Sequence, residues 1–153
     1  MADKTLWVAE SVATLLAAEL NNLADATMVV DATDYDNATN LYQFGSFFFF
    51  GTFDAACDAG ALAEIHLFYR LDGTLYGDGN DGDGDADSVG SGNSLHGIIQ
   101  IGAKTIIYQQ VLNVPLLPFK FITGLKLDTG QDLTAVDTHW LKMYPHNHEL
   151  QTA

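Results

Sequence analysis

Two periodicities divide the chain. Residues 62–71 alternate cleanly, with Ile65, Leu67, Tyr69 and Leu71 on one side and Glu64, His66, Phe68 and Arg70 on the other, the period of a half-buried strand. The run LYQFGSFFFFGTF at residues 41–53 is aromatic-rich and poor in helix formers, as in a strand or a strand pair kinked at Gly45. Residues 95–101, 105–114, 119–127 and 138–144 read as further strands, with Gly102, Ala103 and Lys104 as a tight turn between two of them. Residues 11–24 differ. There Val12, Leu15, Leu16, Leu20 and Leu23 recur three and four apart, which predicts a short helix or an arm with Thr14 at its N-cap and Asn21 and Asn22 weakening its far end.

About six to eight short strands separated by Gly-, Asn- and Asp-rich turns, without helices for parallel crossovers, predict an all-β fold. The expected architecture is an antiparallel β-sandwich, jelly-roll-like first and immunoglobulin-like second, since spacing does not give strand order. The expected organisation is an arm or short helix over residues 1–30, one sandwich domain over 31–145 and a tail over 146–153. An apolar terminal segment ordinarily packs on its own domain. Its other use is docking on a neighbouring subunit, with Leu15, Leu16 and Leu20 as contacts.

The chain has 153 residues, enough for one domain with a core that needs neither disulfide nor metal. Its charge changes the picture more: twenty Asp and Glu against six Lys and Arg give a formal net charge of −14. Such a surface repels phosphate backbones and anionic membranes, so neither nucleic acid nor membrane is an expected partner. Solubility, cation binding and docking on a basic partner are the uses left open. Cys57 is the only cysteine, which excludes an internal disulfide and fits assembly in a reducing cytoplasm. The first residues, MADKTLWVAES, lack the basic and continuous apolar regions of a secretory signal, and the longest apolar run, Phe47 to Phe50, is too short to span a bilayer.

The acidic run GDGNDGDGDADSVGSG (77–92) holds the candidate metal ligands, Asp78, Asp81, Asp83, Asp85 and Asp87, whose spacing suggests a calcium loop. A calcium-binding helix–loop–helix site needs oxygens at positions 1, 3 and 5, glycine at 6 and a bidentate glutamate at 12. Counting from Asp81 puts Ala86 at 6 and Gly92 at 12; counting from Asp83 puts Ser88 and Ser94 there. Neither frame closes. Residues 77–88 also lack the large aliphatic residue that each turn of a calcium-binding β-roll requires. A solvated hairpin loop, loosened by seven glycines between Gly73 and Gly92 and extended by its own repulsion, fits the run better, with calcium association as the alternative.

Histidine offers little chemistry. His66, His96 and His139 fall in expected strands, and His146-Asn147-His148-Glu149 is the only cluster, a His-x-His pair that binds zinc only when a third ligand converges and is ordinarily surface decoration. No nucleophile elbow, HExxH, P-loop or dinucleotide-binding glycine motif occurs, so no enzyme activity and no cofactor is expected.

Four stretches carry a resemblance: DNATNLYQFGSFFF (36–49), EIHLFYRLDGTLYGDG (64–79), SLHGIIQIGAKT (94–105) and LNVPLLPFKFITGLKLDTG (112–130). Together, across about residues 34–144, they resemble a family of small bacteriophage virion structural proteins. Leu116-Leu117-Pro118 stands where that family often has consecutive prolines, and Thr123-Gly124-Leu125 where it often has a more polar run. The resemblance implies a non-enzymatic role in the virion, made in the host cytoplasm, and none of its motifs is catalytic. Pro115 and Pro118 stiffen the approach to Phe119, Phe121, Leu125 and Leu127, which share one face as expected core. Leu116 and Leu117, at the tip between the prolines, are the second candidate subunit contact.

Two function classes follow. The first is a capsid decoration or cement protein on the outer shell, whose partners are the major capsid protein and copies of itself, for instance as a trimer. The second is a tail-fibre, receptor-binding or carbohydrate-binding module, calcium-assisted if the aspartate loop holds the ion. The short length and the lack of fibre repeats favour decoration. The solvated-loop reading predicts that melting temperatures in excess calcium and in chelator agree within about 1 °C, because a ligand stabilises only as far as it binds the native state. A chelator-sensitive melt that Asp81→Asn with Asp83→Asn abolishes would make those aspartates ligands.

Overall fold

The alternating segments form strands, and each strand pairs with the one that mirrors its place in the sequence. The computed structural model describes residues 4–9, 11–70, 76–77, 94–135 and 138–151. The strands there are β1 (Lys4–Ala9), β2 (Ala13–Leu16), β3 (Met28–Val30), β4 (Tyr35–Asp36), β5 (Phe44–Thr52), β6 (Leu62–Tyr69), β7 (Leu95–Gln100), β8 (Ile106–Pro115), β9 (Lys120–Asp128) and β10 (Trp140–Gln151). One helix, α1 (Asn37–Asn40), and a 3-10 turn at Ala18–Leu20 interrupt them. β6 pairs with β7, β5 with β8, β3 and β4 with β9, and β1 and β2 with β10, all antiparallel. The pairing is nested, as in one long hairpin rolled until alternate pairs lie in opposite layers. Sheet A has the order β1-β10-β5-β8, with β2 also on β10; sheet B has the order β3-β9-β6-β7, with β4 also on β9.

The two sheets pack against each other over one parity of their strands. Phe47 and Phe49 of β5 and Leu141 and Met143 of β10 meet Ile65 and Leu67 of β6 and Phe121 and Leu125 of β9, all but removed from solvent. Each contributes roughly 1.5–3 kcal/mol by leaving water. A second cluster, Met28, Val30, Phe68 and Ile122 with Tyr76 against it, lies on the far side of sheet B. It explains Phe68, which alternation places on the polar side of its strand and which is nevertheless fully buried. His66, on the same side, is satisfied there by Ser94 Oγ at 3.0 Å and Glu64 Oε2 at 3.3 Å. Phe119 departs from the expected core and is 41% exposed just before β9.

Residues 11–24 are not a continuous helix. Leu16 pairs with Leu141 and Thr14 with Lys142, which leaves Leu15 as an extra residue in the register. The bulge lets the consecutive Leu15 and Leu16 both reach the interior, and the 3-10 turn that follows brings Leu20 into the same core. Spacings of three and four thus arise here from a bulged strand and a turn. At the other end, β10 continues through Pro145 to Gln151, over the stretch expected as a tail, because β1 pairs with it from His146 onward. Pro145 lies between the last residue paired with β2 and the first paired with β1, where one flank of β10 has no ladder to lose. Among the described residues no helix is long and apolar enough to cross a membrane.

The residues read as an arm therefore supply interior contacts. Leu16→Ala is expected to lower unfolding stability by about 2–5 kcal/mol in urea melts, against less than about 0.5 kcal/mol for Leu41→Ala, whose side chain is 58% exposed. Equal, small effects would return residues 11–20 to the status of an arm.

Candidate interaction surface

Four consecutive phenylalanines occupy the middle of β5, and a strand turns successive side chains to opposite faces. Phe47 and Phe49 enter the core; Phe48 and Phe50 face outward and stay partly exposed. Register then decides their company. Phe50 lies between Trp140 of β10 and Tyr108 of β8, and Phe48 between Lys142 and Gln110. The Phe50 and Trp140 rings are 5.8 Å apart and nearly parallel, while Tyr108 meets Trp140 edge-on at 5.7 Å. Phe48 meets Tyr144 edge-on at 4.9 Å and Tyr108 at 6.3 Å. The five rings form one connected array across three strands of sheet A. Along β8, Ile106 and Leu112 extend it on either side of Tyr108, and the three are exposed to 63%, 52% and 61%. Exposed apolar groups are ordinarily scattered; these adjoin.

Charge is distributed unevenly around this array. Over the five strands of sheet A the only acid is Glu149, in the last part of β10, although the chain has twenty. The one cation on the described part of the face, Lys142, places its Nζ 4.5 Å from the centre of the Trp140 ring. Acids lie instead on sheet B, at Asp36, Glu64 and Asp128, and on connecting segments. Beyond the rings, His146 stacks on Phe44 at 5.7 Å and is hydrogen-bonded to Ser46 Oγ at 3.1 Å, so the end of the face is polar but buried.

The residues singled out in the sequence fall elsewhere. Asp78, Asp81, Asp83, Asp85 and Asp87 lie outside the described residues. Of the leucines considered as subunit contacts, Leu15, Leu16, Leu20 and Leu116 are buried in the chain's own core, and Leu117 alone is exposed. Leu117 sits on the loop between β8 and β9, which the fully buried Asn37 holds in place. The Asn37 amide donates to Leu117 O at 2.8 Å and Tyr42 O at 3.0 Å and accepts from Tyr42 N at 2.9 Å. The aromatic face itself was not anticipated. Its signal was the aromatic residue at every position from 47 to 50, which one buried face cannot accommodate.

Among the described residues the other polar groupings are small. A cleft of about 270 Å³ beside β2 is lined by Glu19, Asp31, Thr33, Asp34 and Tyr35 among others. Burial, and then the carboxylates of Glu19 and Asp34, raise the Asp31 carboxyl above its usual range against the lowering effect of the Thr33 N–H. Asp34 pairs with Arg70 at 2.8 Å and accepts from the Tyr76 hydroxyl; burial first, and then that carboxylate, push the Tyr76 phenol up to about 12. Asp25 is the converse of Asp31: the Thr129 N–H at 2.7 Å, with the Gly130 N–H at 2.9 Å and the Thr129 hydroxyl at 3.2 Å, holds its carboxyl below the usual range. Among the described residues no three His, Cys, Asp or Glu side chains converge as metal ligands. Cys57 is buried, and burial raises its thiol.

Comparison with protein-family models, curated proteins and solved structures gives no match.

The two aspartates predict opposite pH effects. Asp25, with a depressed folded value, adds stability that is present above the unfolded value near 3.8 and is lost as pH falls through the folded one. Asp31, with a raised folded value, adds stability that is present below the unfolded value and lost as pH rises through the folded one. Asp25→Ala should therefore cost about 1 kcal/mol at pH 7 and less at pH 3. Asp31→Asn should be near neutral at pH 3 and gain a few tenths of a kcal/mol at pH 7. Urea melts at both pH values check this, and pH-independent effects would contradict it.

Proposed function

We propose that this chain is a non-enzymatic virion structural protein, a decoration or cement protein on the outer face of a bacteriophage capsid. One observation carries the reading: an acid-rich sandwich keeps one sheet almost free of acids and lines that sheet's outer side with a connected aromatic array. A shell protein needs an apolar side that packs on protein, either the shell or another copy of itself, and another side that stays soluble beside densely charged neighbours, and this division supplies both. The nested pairing of β1 and β2 with β10, β3 with β9, β5 with β8 and β6 with β7 supports a jelly-roll arrangement, an architecture common to capsid and lectin domains.

The lectin reading is the competitor, and ring geometry weighs against it. A sugar stacks on an open aromatic face, whereas Trp140 has Phe50 nearly parallel to its ring and the Lys142 ammonium over it, and Phe48 receives Tyr144 edge-on. Rings held against each other suit a packed protein contact, in which aromatic side chains add area at small entropic cost. β2, β5 and β8 also lack the carboxylates a calcium-held sugar would require there.

Labelling the protein in purified virions tests this reading. Many copies distributed over the head are expected; a few copies confined to the tail, or none in the particle, would reject it.

A further inference from the structure

We propose that the outer face of sheet A is covered by the same face of a second copy of this chain, so that the protein associates as a face-to-face dimer. The inference rests on the reading above for its biological setting, and on the following observations for its content.

Charge selects the occupant. A basic partner would find no carboxylate on the described part of this face, and an acidic partner would find only Lys142, whose ammonium already lies over Trp140. The surface that fits is apolar and uncharged, and the face of a second copy has both properties. It is also where two chains of charge −14 meet with least repulsion, since sheet B and the connecting segments carry the acids. β8 adds a separate argument. It is an edge strand of ten residues, Ile106–Pro115, without a single charged side chain, and it exposes Ile106, Tyr108 and Leu112. Edge strands left in water ordinarily carry charges or other blunting devices; among the described residues the bulge at Asn113, with φ of 58°, and Pro115 at the end serve that purpose.

Size sets the strength. Four strands about 4.8 Å apart and about seven residues of 3.4 Å long give a flat footprint near 450 Å² per copy, so the pair buries on the order of 1,000 Å². That lies at the lower end of specific interfaces. Association should therefore be concentration-dependent, and stacked sheets would bring the two aromatic arrays within the roughly 10 Å spacing of packed sheets.

Sedimentation equilibrium of the full chain tests the proposal. The mass is expected to rise from 16.6 kDa toward twice that value as concentration increases, and more readily at 0.5 M salt than at low salt. Tyr108→Glu, at a side chain exposed enough to leave folding intact, should weaken the dimer by at least about tenfold with an unchanged melting temperature. Leu41→Glu, in the turn between α1 and β5 and outside the strands of sheet A, should leave it unchanged. A wild-type chain that stays monomeric at the highest soluble concentration overturns the proposal, as does a Tyr108→Glu dimer as tight as wild type. The two readings fail separately: dimers without head labelling reject the decoration role alone, and head-bound monomers with sheet A against the shell reject the dimer alone.

Discussion

Four adjacent phenylalanines in one extended strand cannot share one core. The pleat sends Phe47 and Phe49 inward, where they close the two sheets on each other, and it necessarily sends Phe48 and Phe50 the other way. No rotation of β5 relieves this, because a shift of one residue only exchanges the pairs. The interior and the outer aromatic face are therefore products of a single strand. Leaving apolar rings partly in water forgoes stabilisation at about 25 cal/mol per Å², which the isolated chain recovers only in part by packing them against Trp140, Tyr108 and Tyr144.

The nested pairing determines who joins those rings. Because β10 lies between β5 and the two short N-terminal strands, residues distant in sequence meet on one surface: Phe50 with Trp140, and Phe48 with Tyr144. The same arrangement leaves β8 at an edge. The bulge at Asn113 shifts register just beyond Leu112, so the exposed residues of β8 remain in line with the outward residues of β5 over the rest of its length. A face assembled from separate parts of the chain in this way has a definite shape only when the whole roll has closed.

Much of the fold was legible in the sequence because period-two burial is a local property. The strands at 62–69 and 95–100 lie where alternation places them, and both sheets are antiparallel as the lack of crossover helices implied. Residues 11–24 were not legible, because one bulged residue, Leu15, converts a strand pattern into helical spacing, and only the partner β10 reveals the bulge. Phe68 was misplaced because alternation assumes that one side of a sheet is wet, whereas sheet B buries both sides over Met28 and Ile122. The candidate surface was hidden for a related reason: the contributions of Trp140, Tyr108 and Phe50 look like ordinary strand aromatics until register sets them side by side. Leu116 and Leu117 show how fine the limit is, since neighbouring residues of the same type end in the core and in solvent.

Attraction and repulsion act at different ranges on this molecule. At physiological ionic strength charges farther apart than about 8 Å are largely screened, and packed sheets sit about 10 Å apart. Acids on sheet B of one copy would face those of another across both sandwiches, well beyond that length, so they keep separate molecules apart without opposing a contact through sheet A. An acid on β5 or β8 would lie inside it, unscreened and desolvated, at a cost that no ring contact there offsets. The segregation of charge thus has a physical use only where something apolar approaches this face closely. β2, β5 and β8 lack the acids that β4, β6, β9 and the connecting segments carry, so a close apolar contact through this face would meet no carboxylate on those three strands.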